Sequence, residues 1–269
     1  MKQMMMVMGC MMVSASVFAA PQVIHQNLQP GGFYVARVSP DSTVRLGKDA
    51  LVVGPKGEIV VGFDRNAALK QVLTVCGGQN CKETVLNLKP RTYVTQNVTK
   101  VPQGTVTPDP VQEKRVADDN AAAKAARDKA EAGARWRDGF AREWSLPITA
   151  PTSGVFGSRR TYNGTERSWH RGHDLAAKTG TPIKAPADGI VRLARDTFMS
   201  GNLVMLDHGG AVTSVYAHMS EMDVKVGDEV KAGDVIGKVG TTGRSSGPHL
   251  HWGMYWKNTP IDPILWVRK

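Results

Sequence analysis

The chain has 269 residues, 41% hydrophobic and 22% charged, a balance that suits one large domain or two modest ones with a real core and excludes wholesale disorder. Lys and Arg number 34 against 24 Asp and Glu, and the resulting formal charge of +10 draws the protein to something acidic. Nucleic acid, an anionic membrane surface and an anionic cell-wall polymer all satisfy that condition.

Residues 1–20 read MKQMMMVMGCMMVSASVFAA, with a basic start at Lys2, an apolar run and small residues near the end. This is the pattern of a secretory signal peptide, with Val17, Phe18 and Ala19 supplying the cleavage spacing. The rival readings are an uncleaved anchor and lipid attachment at Cys10. The run is short for a membrane span, so no transmembrane segment is expected once the signal is removed. Loss of Cys10 with the signal leaves Cys76 and Cys81, in CGGQNC, as an even pair in an oxidising compartment. Their spacing around a Gly-Gly turn suits a hairpin disulfide, a local clip contributing about 2 kcal/mol. The other reading, half of a metal site, has no second cysteine pair to complete it.

From 21 to 110 the runs GFYVARV, ALVVG, EIVVGF, KQVLTVC and ETVLNL are separated by Gly, Pro, Asp and Asn. Such spacing predicts a small antiparallel β-sandwich. It holds one histidine, His25, and no clustered acids, which fits a spacer or binding module. From 111 to 145 the composition turns to Ala, Lys, Arg, Asp and Glu, and NAAAKAARDKAEAGARWRDGF predicts a helical linker behind candidate caps Asp118 and Asn120. Trp136, Phe140 and Trp144 fall at i, i+4 and i+8, one face of that helix, expected to dock against a neighbouring domain.

The texture changes from 146 to 269, where six of the seven histidines lie between His170 and His251. His249 and His251 in HLH share one face if the segment is a strand, while Leu250 faces the other way. Two imidazoles on one face suit a metal or an acid–base pair. A hydrolytic zinc typically takes three protein ligands and keeps one open position, so this pair needs partners. HRGHDLAA offers His170 and Asp174, with Gly172 giving the backbone freedom to bring them together. YAHMS adds His218 at the end of the β-like run AVTSVYA.

In chain order, FGSRRTYNGTERSWHRGHDLAAKTGTPIKAPADGIV, GNLVMLDHGG, TSVYAHMS, VKVGDEVKAGDVIGKVGTTGRSSGPHLHWGM and IDPILW resemble the M23 (lysostaphin/LytM) family of zinc metallopeptidases over residues 150–266. The ordered set H-x-G-x-D, YAH and HLH carries the resemblance. The first zone resembles, more weakly, the β-rich N-terminal regions of some exported members. The residue patterns predict a mainly β chain with a signal peptide over 1–20, an N-terminal β-sandwich-like module over 21–110 and a helical linker over 111–145, and the resemblance adds a C-terminal β-rich M23 peptidase domain over 146–269, whose antiparallel sheets form a groove.

Carried over residue by residue, the resemblance makes His170, Asp174 and His251 the ligands of one Zn2+ per chain, while His218 and His249 line the site. Such a ligand set leaves a net charge of about +1, able to bring the pKa of a bound water toward about 7. His218 and His249 would serve as general base and as donors to the developing oxyanion, with the division between them open. Asn163 and Arg167, in NGTERSWH, stand where members carry polar residues near the groove and are candidate substrate-binding residues. Arg167 could equally pair with Glu166. His173 occupies a position usually apolar in the family, adding an imidazole beside the ligands. It and His208 in LDHGG read as structural.

The implied substrate is the peptide stems of bacterial peptidoglycan, cut at a cross-link by an exported zinc endopeptidase. D-Ala-meso-diaminopimelate and glycyl-glycine links both stay open. The signal peptide, the disulfide and the lack of a recognisable wall-binding repeat favour the periplasm and the former bond. Some relatives have lost ligands and only activate other wall hydrolases; here all three ligands and both flanking histidines are present. A protein regulator, or masking by the front half, is compatible with that set.

Other classes stay in view. VKVGDEVKAGDVIGKVG also resembles the hammerhead turns of biotinyl and lipoyl carriers, but Lys225, Lys231 and Lys238 lack the tight hairpin setting of a modified lysine. A non-catalytic wall-binding protein or activator of a wall amidase remains the alternative. A nucleic-acid binder would need an interleaved aromatic and basic platform, which is absent.

Overall fold

The computed structural model describes residues 20–131, 138–142 and 144–267. The expected signal peptide up to Ala19, and Trp136, lie outside the described residues. No helix among the described residues is long and apolar enough to cross a membrane.

The front of the chain forms two small antiparallel sheets. Strands Gln22–Asn27, Phe33–Arg37 and Glu58–Gly62 make one, and Asp49–Leu51, Thr43–Leu46, Lys70–Gly77 and Asn80–Asn87 make the other. Cys76 and Cys81 face each other across the hairpin Lys70–Gly77/Asn80–Asn87 and are disulfide-bonded. The tight turn works because Gly78 takes a φ of 58° that few side chains tolerate. Phe33–Ala36 and Ile59–Val61 are buried throughout, as continuous apolar runs are when both faces of a strand are covered.

Their second cover is the C-terminal half. Phe33 lies 3.9 Å from Trp266 between ring centroids, and a Cβ on Gly62 would come within 2.7 Å of Trp256 Cβ. One continuous apolar core includes Val35, Leu73 and Val75 from the front and Trp252, Met254 and Ile261 from the back. The front half is thus fused to the rest by packing rather than held off as a spacer.

Strand Thr95–Val98, at the end of the front zone, pairs in parallel with Arg159–Tyr162, which pairs antiparallel with Thr165–Arg167. The helix then runs from Pro110 to Glu131. It starts well before the expected caps. Asp109 accepts from Gln112 N at 2.8 Å, while the Gln112 side chain accepts from Asp109 N at 3.1 Å, a reciprocal cap with Pro110 at the first position. Phe140 and Trp144 do not extend this helix. Phe140 sits on a 3-10 turn, Gly139–Ala141, and Trp144 bridges Val267, yet both are buried in the core. They dock as expected, but from a turn and an extended segment.

The back half is built on an antiparallel sheet in the order Glu229–Val230, Gly189–Thr197, Gly201–Asp207, Val212–Met219, His249–Trp256, Gly172–Ala176 and Thr152–Gly154. One face of this sheet belongs to the main core. On the other, Ala123 and Ala126 of the helix rest on Leu203, Met205, Val215 and Ala217. The small alanines let the helix lie close, and Asp119 anchors it by accepting from Phe198 N at 2.8 Å and pairing with Arg195 at 3.0 Å.

A candidate metal centre in a walled groove

The site grows from the register of two neighbouring strands. Asp174 stands directly opposite His251, and His173 opposite Trp252. Cross-strand partners share a face, so Asp174 and His251 look outward from the core while His173 and Trp252 look into it. His173 is therefore not beside the ligands: it is buried, with Nε2 2.9 Å from Thr152 Oγ1.

His170 enters from the loop ahead of Gly172–Ala176, its backbone tied to Ser158 O and Gly157 N. The three donor atoms then meet at one point: His170 Nε2 lies 3.0 Å from Asp174 Oδ1 and 2.9 Å from His251 Nδ1, and His251 Nδ1 lies 2.9 Å from Asp174 Oδ1. Gly172 is needed for space rather than for freedom. It has ordinary strand backbone, but a Cβ there would meet Trp252 O at 2.6 Å and His251 Cε1 at 2.7 Å.

His218 reaches the same face by a break in the pleat. Ala217 pairs with His251, so a regular strand would send His218 to the core side with Leu250. Instead His218 takes a φ of 62°, a conformation costly for a non-glycine residue, and its ring lies 4.8 Å from His249 and 6.0 Å from His251. His249 Nε2 stands 4.0 Å from Asp174 Oδ1.

Backbone carbonyls fix the tautomers, because a carbonyl only accepts. His170 Nδ1 donates to Val155 O at 3.0 Å, His218 Nδ1 to Thr242 O at 2.7 Å and His249 Nδ1 to Gly247 O at 2.8 Å. In its neutral form each ring thereby keeps an Nε2 lone pair for the site. Burial, with His249 and His251 nearby, pushes the His218 imidazole down to about 3, so it is neutral at ordinary pH. Burial raises the Asp174 carboxyl, but His170 and His251 outweigh it and hold the group well below the usual carboxylate range.

This donor set fits a cation. With His170 in its neutral form, its Nε2 and Asp174 Oδ1 are both acceptors only 3.0 Å apart, and a single proton on His251 Nδ1 does not relieve all three close contacts, whereas a metal ion does. Two imidazoles and one carboxylate, with His170 held from behind by Val155 O and Asp174 by Arg160, is the chemistry zinc takes. Among the described residues this is the one His/Cys/Asp/Glu group of three close enough to hold a metal.

The second carboxylate oxygen brings in a residue that sequence reasoning missed. Arg160, buried, donates to Asp174 Oδ2 at 2.6 Å and reaches Gln96 Oε1 at 3.3 Å, which also accepts from Ser158 Oγ at 2.7 Å. Gly154 makes room for this pair, since a Cβ there would fall 2.3 Å from both Arg160 Nη2 and Asp174 Oδ2. The front-zone strand Thr95–Val98 thus braces the centre through two hydrogen-bonded links. The doubled arginine of FGSRR is the only sequence signal that could have pointed there.

Asn163 and Arg167 do not face the groove. Asn163, at φ 48°, donates to Val101 O at 3.0 Å, and Arg167 donates to Val106 O. Both are spent holding the segment 101–106. His208 is fully buried, donating to Asp188 O at 2.8 Å and bonded to Ser214 Oγ at 2.7 Å.

Above the centre opens a groove of about 820 Å3. Its walls include Gln96–Thr99 from the front zone, Val116 and Asn120 from the helix, Trp169, Tyr255 and the loop Arg244–Pro248. Its volume is enough to seat a peptide segment.

Residues 168–263 match the model of peptidase family M23, and this domain belongs to that family. Over 95 residues the chain is 43% identical to the DD-carboxypeptidase/endopeptidase Mpg of Neisseria meningitidis, covering 35% of this chain and 22% of that protein. It is 38% identical over 113 residues to the peptidoglycan DD-endopeptidase ShyA of Vibrio cholerae, 42% of this chain and 26% of that one. The chain therefore spans about a quarter of the length of the curated relatives it matches. A solved chain from Pseudomonas aeruginosa, named for peptidase M23, superposes with a TM-score of 0.67 at 28% identity, covering 91% of this chain and 96% of its own. That likeness takes in the front β module and the helix as well as the M23 domain.

Proposed function

We propose that the protein is an exported, zinc-dependent endopeptidase that hydrolyses peptide cross-links of bacterial peptidoglycan. The observation that carries this reading is the convergence of His170 Nε2, Asp174 Oδ1 and His251 Nδ1 within 3.0 Å of one another at the floor of an open groove. The relatives named as peptidoglycan DD-endopeptidases and the M23 domain support the substrate class. The hairpin disulfide and the signal-like leader support export, with the periplasm as the compartment.

His170, Asp174 and His251 would hold one Zn2+, which supplies Lewis acidity: the power to acidify water and to polarise a carbonyl. The rest is done by the chain. Arg160 holds Asp174 oriented. His249 and His218, each with Nδ1 donating to a backbone carbonyl, turn Nε2 toward the ligand set, positioned to accept the proton of the attacking water. His249, nearer to Asp174, is the base in this account; once protonated it returns the proton to the departing amine. His218, deeper and neutral, accepts a hydrogen bond at Nε2 and so orients the reacting groups. The walls from the front zone and the helix hold the peptide extended across the floor.

The test is metal content alongside hydrolysis. His251→Ala and Asp174→Ala are expected to lose both tight zinc binding and release of amines from purified cross-linked peptidoglycan; His249→Ala is expected to keep the zinc and lose the release. Zinc retained in His251→Ala but lost from His249→Ala would overturn the ligand assignment.

A further inference from the structure

The groove is electrically lopsided. Its lining carries three guanidinium groups, Arg160, Arg171 and Arg244, and one carboxylate, Asp174, which is already occupied by Arg160 and two histidines. A bound divalent ion would widen the imbalance. Arg160 has its partner, and Arg171 lies out on the surface near Trp169, 5.8 Å from that ring's centroid. Arg244 is the unusual one.

Arg244 is half-buried and stacks on the Tyr162 ring at 4.4 Å from the centroid. Among the described residues no carboxylate pairs with it, and its charged neighbours are Arg160 and Arg167. A guanidinium partly withdrawn from water among like charges is costly unless an anion arrives to offset it. The loop holding it is rigid: Arg244 N donates to Met199 O at 2.8 Å, and a Cβ on Gly243, at φ 71°, would fall 2.4 Å from Gly201 N.

The loop also fixes where that cation stands. The residue two before, Thr242, holds His218 through its carbonyl, and the residue after, Ser245, lies 3.3 Å from His249 Nδ1 through its hydroxyl. Arg244 is bracketed by the two groups that aim the proton-handling histidines, so whatever it binds lies beside the bond being cut.

We propose that Arg244 is a specificity-determining residue that receives a free carboxylate on the substrate, next to the scissile amide. The inference rests on the endopeptidase reading above and narrows its substrate class. It selects cross-links whose amine-donating residue keeps a free carboxylate, as meso-diaminopimelate does at the carbon bearing the cross-linked nitrogen, over glycine bridges or amidated stems that present none. The planar fork of Arg suits bidentate capture of a carboxylate, and its pre-positioning on Tyr162 limits the entropy lost on binding.

The experiment uses the full zinc-loaded chain and two purified cross-linked muropeptide dimers, one with free and one with amidated diaminopimelate carboxylates. Wild type is expected to show a kcat/KM roughly 10- to 100-fold higher on the free-carboxylate dimer, the scale of one charge-assisted hydrogen-bonded pair. In Arg244→Gln that ratio is expected to fall toward unity, and in Arg244→Lys to fall only partway. A ratio that is the same in wild type and Arg244→Gln, with both substrates slowed alike, would overturn the proposal. Binding of a free-carboxylate monomeric stem peptide, followed by calorimetry, gives the second readout. If wild type cuts neither dimer, the endopeptidase reading fails, and carboxylate capture then stands if Arg244→Gln loses that binding and falls if it binds equally well.

Discussion

Arg160 and His251 hold opposite oxygens of the same carboxylate: Arg160 Nη2 donates to Asp174 Oδ2 at 2.6 Å, and His251 Nδ1 lies 2.9 Å from Asp174 Oδ1. The guanidinium therefore decides which oxygen faces the His170 and His251 donor atoms. Arg160→Leu is expected to weaken zinc binding by roughly 10- to 100-fold, the usual cost of losing a partner behind a ligand. Arg160→Lys should recover part of the loss. Chelator competition measures it, and unchanged zinc affinity in Arg160→Leu would remove Arg160 from the centre.

Gly172→Ala tests packing at the ligand strand. The new Cβ would meet Trp252 O, a backbone atom of the neighbouring strand that cannot step aside, and the His251 ring. Overpacking of this kind costs about 1–3 kcal/mol, and here the displaced group is a proposed zinc ligand. A lower melting temperature together with lost zinc is the expected result.

On the proposed assignment, variants of His249 and His218 separate metal binding from proton transfer. His249→Ala is expected to retain zinc while hydrolysis falls by about 10²- to 10⁴-fold, the range for a removed general base. His218→Asn tolerates the left-handed backbone at this position better than most replacements, so it should fold, keep its zinc and still lose hydrolysis. Zinc content and turnover measured on the same samples check both outcomes.

His208 predicts a pH dependence of stability. Burial pushes its imidazole from 6.5 down to about 4, so between those values the unfolded chain takes a proton that the folded protein refuses. Stability is full above the upper value, falls as pH drops toward the lower one, and levels off once the folded form protonates too. The total is on the order of 3 kcal/mol. Urea unfolding of wild type and His208→Gln at about pH 7.5 and about pH 4.5 should show the stability gap between them shrinking by that amount. A constant gap would mean that His208 is not held neutral.

The fusion of the two halves has its own consequence. A fragment beginning at residue 146 would expose Trp256, Ile261 and Trp266 and would lose Gln96 behind Arg160. Its expected behaviour is aggregation or a melting temperature far below that of the full chain, read by calorimetry, rather than a free-standing active domain.

Much of this was legible in the residues themselves. The spacing of His249 and His251 around Leu250 announced a strand with two imidazoles on one face, and the short apolar runs of the front zone announced its strands. What spacing could not show was anything set by a partner strand. His218 lies on the groove face because one residue breaks the pleat, and periodicity assumes that no residue does. Phe140 and Trp144 keep a helical interval but sit on a turn and an extended segment, because core burial, not helix register, places them. Asn163 and Arg167 lie near the right motif, yet the segment 101–106 folds back to claim both side chains. Arg160 and Gln96 meet only through a parallel pairing of strands 61 residues apart or more, a contact no local pattern encodes.

The most direct measurement is mass spectrometry of purified, cross-linked peptidoglycan digested by the full zinc-loaded protein, beside His251→Ala. The account predicts that cross-linked dimers give way to monomeric stems with wild type alone, and that the masses identify the opened amide. Dimers that persist with wild type while zinc is bound one to one would contradict it.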